Sequence, residues 1–145
     1  MTLTSAFNNS VNRDKKRHLS MKGTAAMNNN VFWVLEANIN DGQFDHLNVL
    51  MSEMVEATKR DEPGALNYEW FIAEDGKSLH LYERYADSGA TMVHLGNFGQ
   101  KFAERFVAYL TITRITMYGN PSDEVRAAFA TFTPIYWSLS AGFTR

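Results

Sequence analysis

The sequence predicts an α+β domain whose elements follow the order strand, helix, strand, strand, helix, strand. Three observations predict it: runs of β-branched and aromatic residues, two stretches with apolar residues at helical spacing, and an Asp-Gly turn between the second and third strands. The order is the split βαβ arrangement of ferredoxin-like domains. With 145 residues, 45% of them hydrophobic, the chain is long enough to bury the core of one such domain.

Adjacent stretches predict the first strand and the first helix. VFWVLEANI, residues 31–39, is rich in β-branched and aromatic residues and leads into an Asn-Asp-Gly turn. From Phe44 to Thr58 the apolar residues recur in steps of three and four, which is the spacing of an amphipathic helix. We expect Asp41 to cap this helix and the Asp-Glu-Pro-Gly sequence at 61–64 to end it.

A hairpin, a second helix and a fourth strand complete the predicted domain. ALNYEWFIA (65–73) and SLHLYERY (78–85) flank the Asp-Gly turn and predict two antiparallel strands. Asp87 is expected to cap a second helical region, which breaks at Gly96 and then resumes. TITRITMY (111–118) is rich in β-branched residues and predicts the fourth strand.

The chain ends are predicted to lie outside the domain, which spans residues 31–118. Five basic residues and one acidic residue give residues 1–30 a charge of +4, and their Asn, Ser and Thr content predicts a flexible arm. The basic run RDKKRH within this arm is an alternative candidate for phosphate contacts. Residues 119–145 are predicted to form a C-terminal extension, a short helix followed by an extra strand or a flap.

Composition restricts the partners and the chemistry. A formal net charge of -2 gives no electrostatic reason to expect nucleic acid or an anionic membrane, and no apolar run approaches the ~20 residues that cross a bilayer. The sequence contains no cysteine, which excludes disulfides and thiolate chemistry and fits the cytoplasm, where we expect the protein. The histidines lack metal-site spacing and there is no dinucleotide or phosphate-binding glycine motif, so we expect no metal and no cofactor.

The third strand and the helix after it carry the candidate reactive groups. Strand alternation puts Glu83 and Tyr85 on the same face as two leucines, where a carboxylate is costly unless it is hydrogen-bonded, paired or protonated. Glu83 is therefore either a reactive group or a structural partner of an arginine or of backbone amides. His94 is expected to look toward the sheet, as a general base or as a satisfied core histidine.

Large aromatic residues on both faces of the predicted sheet have two interpretations. Trp70, Tyr85, Phe98 and Phe102 either line a flat cavity for an aromatic ligand or belong to the plain core. The predicted helices pack on only one face of the sheet, so the large aromatic residues on the other face would be exposed to solvent in a single chain. This predicts a homodimer that packs sheet against sheet.

Three motifs between residues 36 and 95 point to a family. They are the helix ending in EATKRDEPGALNYE, the strand LYERYAD and the A-x-x-x-H-L sequence that follows it. Together they resemble the antibiotic biosynthesis monooxygenase (ABM) family, over about residues 31–118. The resemblance implies a dimeric α+β barrel of ferredoxin-like protomers. Haem-degrading relatives carry a tryptophan where Tyr85 stands here, and this difference argues against haem binding.

The resemblance also implies an activity. Some members oxidise quinols or phenolic compounds with dioxygen and without metal or flavin, because the substrate itself supplies the electrons. Transferred to this chain, that implies His94 as proton acceptor, Glu83 as its orienter or a second base, and Tyr85 beside a small aromatic substrate. Trp70 and Phe98 would be further walls of the site.

Two points stay open in this comparison. Arg105 steadies an oxyanion if it turns inward, and otherwise it is a solvated surface residue. The alternative to an enzyme is a non-catalytic small-molecule-binding or stress-response dimer of the same fold.

Overall fold

The computed structural model describes residues 28–145 and confirms the predicted α+β order, with one sheet and helices packed on one of its faces. The arm predicted for residues 1–30 falls, up to residue 27, outside the described residues. In chain order the elements are β1 (Val31–Ile39), α1 (Phe44–Asp61), β2 (Ala65–Ile72), β3 (Ser78–Tyr85), α2 (Ser88–Lys101), α3 (Ala103–Tyr109), β4 (Leu110–Gly119), α4 (Asp123–Phe129), a 3₁₀ turn (Ala130–Phe132) and β5 (Ile135–Trp137).

The sheet has the strand order β2-β3-β1-β4-β5. The central strand β1 pairs antiparallel with both β3 and β4, and β2 pairs antiparallel with β3 through the predicted hairpin. These four strands and the helices between them form the ferredoxin-like arrangement. The short strand β5 pairs parallel with β4, which confirms an extra strand after the last helix. Residues 138–145 contain no helix or strand.

The core lies between the inner face of the sheet and the helices. Alternate residues of β1 are buried, as the pleat of a strand with one covered face requires. Leucines and methionines of α1 face them, and burying each such side chain contributes roughly 1.5–3 kcal/mol. The largest fully buried side chains of this core include Trp33, Leu47, Leu50, Met54, Leu81, Tyr85, Phe106 and Met117.

Two local features differ from the sequence predictions. Asp41 does not cap α1; the helix begins at Phe44 after Gln43, and no side chain caps it. The second helical region runs unbroken through Gly96 and is interrupted only at Phe102, where φ is -128°. A single glycine inside a helix costs about 1 kcal/mol, and the packing of this helix against the sheet outweighs that cost.

Two further local predictions are confirmed and one irregularity appears. The Asp87 side chain caps α2 by accepting a hydrogen bond of 2.8 Å from the Ala90 backbone N–H. The Asp-Gly turn forms the hairpin, with Gly76 at φ 70° in the left-handed region. A register shift between Ala65 and Asn67 turns Leu66 outward, and beyond it Tyr68 pairs with Glu83 on the neighbouring strand.

Among residues 28–145, no helix combines the length and the apolar character that a membrane span requires.

Candidate active site

A row of three buried ionisable side chains lies between the sheet and α2. The His94 Nδ1 atom is 2.8 Å from Glu62 Oε2, and its Nε2 atom is 3.1 Å from Glu83 Oε2. All three side chains are nearly inaccessible to solvent. Because each ring nitrogen faces a carboxylate oxygen, both act as donors, and this requires a protonated imidazolium.

The electrostatics of the row stabilise the charged histidine. Burial on its own lowers the pKa of His94, since desolvation disfavours the imidazolium. The negative charge of Glu83 and the hydrogen bonds that His94 donates to Glu62 and Glu83 outweigh burial, and they raise the pKa of His94 to about 9. His94 is therefore an imidazolium at neutral pH, held between the side chains of Glu62 and Glu83.

Glu83 is held in place through only one of its two carboxylate oxygens. It lies on β3 two residues before Tyr85, so both side chains point to the inner face of the sheet. The Tyr85 hydroxyl donates a hydrogen bond of 2.7 Å to Glu83 Oε2, the same oxygen that faces His94. No hydrogen bond from the described part of the chain reaches Oε1. This leaves one carboxylate oxygen free to accept a proton or a hydrogen bond from a ligand.

Glu62 is fixed by the chain reversal between α1 and β2. Its backbone N–H donates to the Thr58 carbonyl at 3.0 Å and closes the last turn of α1. Its second carboxylate oxygen accepts a hydrogen bond of 3.2 Å from Asn97 Nδ2, one turn after His94 on α2. Both oxygens of Glu62 are thus engaged by α2. This carboxylate orients the histidine and leaves no oxygen for a ligand.

A cavity of about 280 Å³ opens beside the row, between the sheet and the helices. Glu83, His94 and Tyr68 are its titratable lining residues. The exposed side chains of Val107 and Phe132 lie where it meets solvent. The rest of its wall is almost entirely apolar and includes Trp33, Leu35, Leu81, Phe98, Phe106 and Phe129.

A family model matches most of this fold. Residues 31–131 match the model described as antibiotic biosynthesis monooxygenase. The chain belongs to the ABM family. The match extends beyond the predicted boundary at Tyr118 and includes all of α4. None of the curated proteins compared with this ABM chain matches it.

Solved structures share the fold of this ABM protein. MupZ from Pseudomonas fluorescens is 23% identical with a TM-score of 0.72, covering 81% of this chain and 91% of that one. A conserved protein from Methanosarcina mazei is 17% identical with a TM-score of 0.56, covering 63% and 92%. SnoaB, a cofactor-independent oxygenase from Streptomyces nogalater, is 16% identical with a TM-score of 0.54, covering 65% and 95%. At these identities the likeness shows the fold alone.

The structure brings some of the predicted site residues of this ABM protein together and places others elsewhere. His94, Glu83 and Phe98 line the cavity. Tyr85 lies behind the lining, stacked on Trp33 at a centroid distance of 5.1 Å, with its hydroxyl on Glu83. These residues form one continuous cluster of aromatic rings and ionisable groups.

Three further predicted site residues, like Tyr85, are not in the cavity lining. Trp70 is partly buried and packs against the core, with its ring centroid 6.0 Å from that of Phe106. Phe102 is also packed against the core, next to the break between α2 and α3. Arg105 is partly exposed and binds Glu53 at 2.7 Å. The condition set for an oxyanion role, that Arg105 turns inward, is not met, because the exposed carboxylate holds it outside.

The sequence analysis missed three residues of the site. Trp33 and Tyr68 line the cavity, and strand alternation on β1 and β2 carried the signal for both, since each shares the inner face with Glu83 through the strand pairing. Glu62 had no such signal. It is separated from His94 by 32 residues and stands in a sequence that was assigned only the role of ending a helix.

Proposed function

We propose that this ABM protein is a cofactor-independent monooxygenase that oxidises a quinol or a similar hydroxylated aromatic with dioxygen. The observation that carries the proposal is the position of Glu83: a buried carboxylate, held by an imidazolium and a tyrosine, with one oxygen left free beside an apolar cavity. A carboxylate in that setting removes a proton from a bound hydroxyl group. Its apolar walls favour the body of an aromatic ring.

The proposed reaction needs no electron donor besides the substrate. Glu83 takes the hydroxyl proton of the quinol, and the electron-rich anion reduces dioxygen, so that a new carbon–oxygen bond forms at a ring carbon. The oxygen–oxygen bond then breaks, the ring carbon loses its hydrogen, and water leaves. Quinol and dioxygen thus give a hydroxyquinone and water, with all electrons from the ring. The apolar walls shield the intermediates from bulk water.

The roles of His94 and Glu83 change from those that the family resemblance implied. A proton acceptor must be free of that proton at the working pH, whereas His94 is already protonated, with both nitrogens donating to carboxylates. In the proposed mechanism Glu83 accepts the proton. His94 holds Glu83 in position and offsets its charge.

Oxygen consumption by the metal-free protein tests the proposal. With a menadiol-type naphthoquinol we expect uptake above the rate of spontaneous oxidation, and Glu83→Gln should lower kcat by roughly 10²-fold, because the amide cannot accept the proton. The control is Glu53→Gln, which removes an exposed carboxylate outside the cavity and should leave kcat unchanged. Equal turnover in Glu83→Gln and wild type would overturn the mechanism.

The cavity also supports a second candidate function, the non-catalytic binding of a small apolar molecule. The observation that favours it is the wall, which is apolar apart from three titratable side chains. A binding protein of this kind would show a rise in Tm with ligand, and no oxygen uptake with any quinol or phenol. The same samples used in the oxygen measurement therefore decide between the two functions.

We also propose that the protein works as a homodimer. The sheet face opposite the helices carries Phe32, stacked on Tyr118 at 5.2 Å and edge-on to Tyr82 at 6.3 Å, together with the exposed Phe71. Within residues 28–145 no helix covers this face. Aromatic surface of this kind favours burial against a second copy.

A further inference from the structure

We infer that the 3₁₀ turn Ala130–Phe132 is a gate at the mouth of the cavity, which closes the Phe132 ring over a bound small molecule with Thr133 as its hinge. The inference rests on the proposed function only in requiring that a small molecule occupies the cavity, so it applies equally to the non-catalytic alternative. It adds a residue that controls entry and release, and it leaves the roles of Glu83 and His94 unchanged.

The first observation is the position of Phe132. It lines the cavity and yet remains 47% exposed to solvent, on the same rim as the exposed Val107. If the ring moves inward over a bound apolar molecule, both lose water-exposed apolar surface, which is favourable. Closure over a cavity without ligand gains no such contact. A ligand therefore shifts the turn toward the closed position.

The second observation is that the turn is held at its two ends and not along its length. Before the turn Phe129 is buried in the core, and after it β5 pairs with β4. Residues 130–133 between these anchors are all exposed. In the described part of the chain, no hydrogen bond ties residues 131–133 to the sheet or to α1, α2 or α3. The turn can thus move while the rest of the fold stays in place.

The third observation is the backbone of Thr133, which lies in the left-handed region with φ 46° and ψ 57°. Among residues 28–145 it is the only residue other than glycine with a positive φ. The conformation is strained for two reasons: threonine is β-branched, and Pro134 favours extended backbone in the residue before it. Since the mouth is open in this strained conformation, release of the strain favours closure.

Binding of 1-naphthol in anaerobic buffer, which prevents turnover, tests the hinge. Asparagine tolerates the left-handed region, so Thr133→Asn should keep the mouth open and weaken the affinity by about 3- to 10-fold. The same variant without ligand should have a higher Tm than wild type, because the strain is reduced. Thr133→Val is the matched control, since it keeps the β-branch and should bind 1-naphthol like wild type.

Stopped-flow dissociation of 1-naphthol tests the moving ring. Tryptophan fluorescence reports the reaction, because Trp33 lines the cavity. Phe132→Ala should release 1-naphthol about 10-fold faster than wild type, since the apolar cover is lost, and association should not slow down. Phe143→Ala, which truncates an exposed ring outside the cavity lining, should keep the wild-type rates.

The absence of cysteine from the sequence allows a third measurement. In Phe132→Cys the single thiol lies on the gate, and saturating 1-naphthol should slow its reaction with a thiol reagent. Adding Thr133→Asn to this variant should reduce the protection, which shielding by the ligand alone does not predict. The thiol of Phe143→Cys should react at the same rate with and without 1-naphthol.

Three results would overturn the inference: wild-type affinity for 1-naphthol in Thr133→Asn, an unchanged dissociation rate in Phe132→Ala, or equal protection of Phe132→Cys with and without Thr133→Asn. Failure of the proposed function is a separate result. It would appear as 1-naphthol binding that shows all three effects of the gate, without oxygen uptake from any quinol.

Discussion

At the scale of single residues, His94 shows how a buried charge becomes tolerable. Moving an isolated imidazolium out of water is costly, but here two carboxylates accept its ring protons at 2.8 and 3.1 Å. Removing His94 takes the central partner from both buried glutamates, and removing either glutamate leaves one buried ring N–H without its acceptor. The row is therefore a structural support, and in the proposed mechanism it is also a functional element, so that the protonation state of His94 would govern both.

The pH dependence of stability tests this view of His94. Its pKa rises from 6.5 to about 9 on folding, so the folded protein holds a proton that the unfolded chain releases. The associated stabilisation is complete below pH 6.5 and is lost as the pH rises through about 9; it is on the order of 3 kcal/mol. We expect the free energy of unfolding of wild type to fall across this window, as measured by denaturant titration at a series of pH values.

The comparison with two glutamine variants makes that measurement specific. His94→Gln should be less stable at neutral pH and should show no such fall between pH 6.5 and 9. His80→Gln, which replaces an exposed histidine on the other face of the sheet, should keep the slope of wild type. A wild-type slope retained in His94→Gln would assign the pH dependence to another group.

At the scale of elements, the position of α2 is set by close contact with the turn before β2. A Cβ atom added at Gly64 would lie 2.5 Å from the Ala90 Cβ atom, so only glycine allows the helix to approach this closely. The approach brings His94, one turn after Ala90, within reach of Glu62 on the same turn. The Asp87 cap fixes the start of the helix.

Two glycine substitutions test the approach of α2. Gly64→Ala should destabilise the protein by about 1–3 kcal/mol through overpacking against Ala90. Gly96 lies inside α2, and a Cβ atom added there would meet open space. Gly96→Ala should therefore stabilise the protein by about 0.5–1 kcal/mol. Denaturant unfolding of the two variants measures both effects, and a neutral Gly64→Ala would show that the contact does not constrain the helix.

The elements were predictable because their signals are local. Alternation along β3 was sufficient to place Glu83 and Tyr85 on the buried face, and Asp87 was identified as a cap from its position alone. The partner of His94 was not predictable in this way, because Glu62 is distant in sequence and meets α2 only through tertiary packing. The inward or outward orientation of Arg105 likewise depended on a partner, Glu53, on another helix.

At the scale of the whole molecule, one face of the sheet is not covered by any helix of residues 28–145. Phe71 is 54% exposed there, beside a surface that holds three further aromatic rings. Scattered apolar residues are normal on protein surfaces, whereas a contiguous aromatic patch indicates an interface. A two-fold arrangement buries the same patch on both copies at once.

Light scattering coupled to size exclusion tests the homodimer. Wild type should elute with twice the chain mass of 16.5 kDa. The double variant Phe71→Lys with Tyr82→Lys should shift the population toward monomer, because in a dimer each lysine would be buried close to lysines of the second copy. Phe143→Lys, which alters an exposed residue in the segment after the sheet, should remain dimeric. A monomeric wild type at micromolar concentration would refute the proposed assembly.

The wall of the cavity contributed by α4 and the turn after it has an evolutionary consequence. Ala128, Phe129 and Phe132 shape the cavity and take no part in the hydrogen bonds that join Glu62, His94, Glu83 and Tyr85. Substitutions in this segment can therefore reshape the space offered to a ligand while the hydrogen bonds of the Glu62–His94–Glu83 row stay in place. Under the proposed mechanism, a chimaera that exchanges only this segment would inherit one parent's chemistry and the other parent's selectivity.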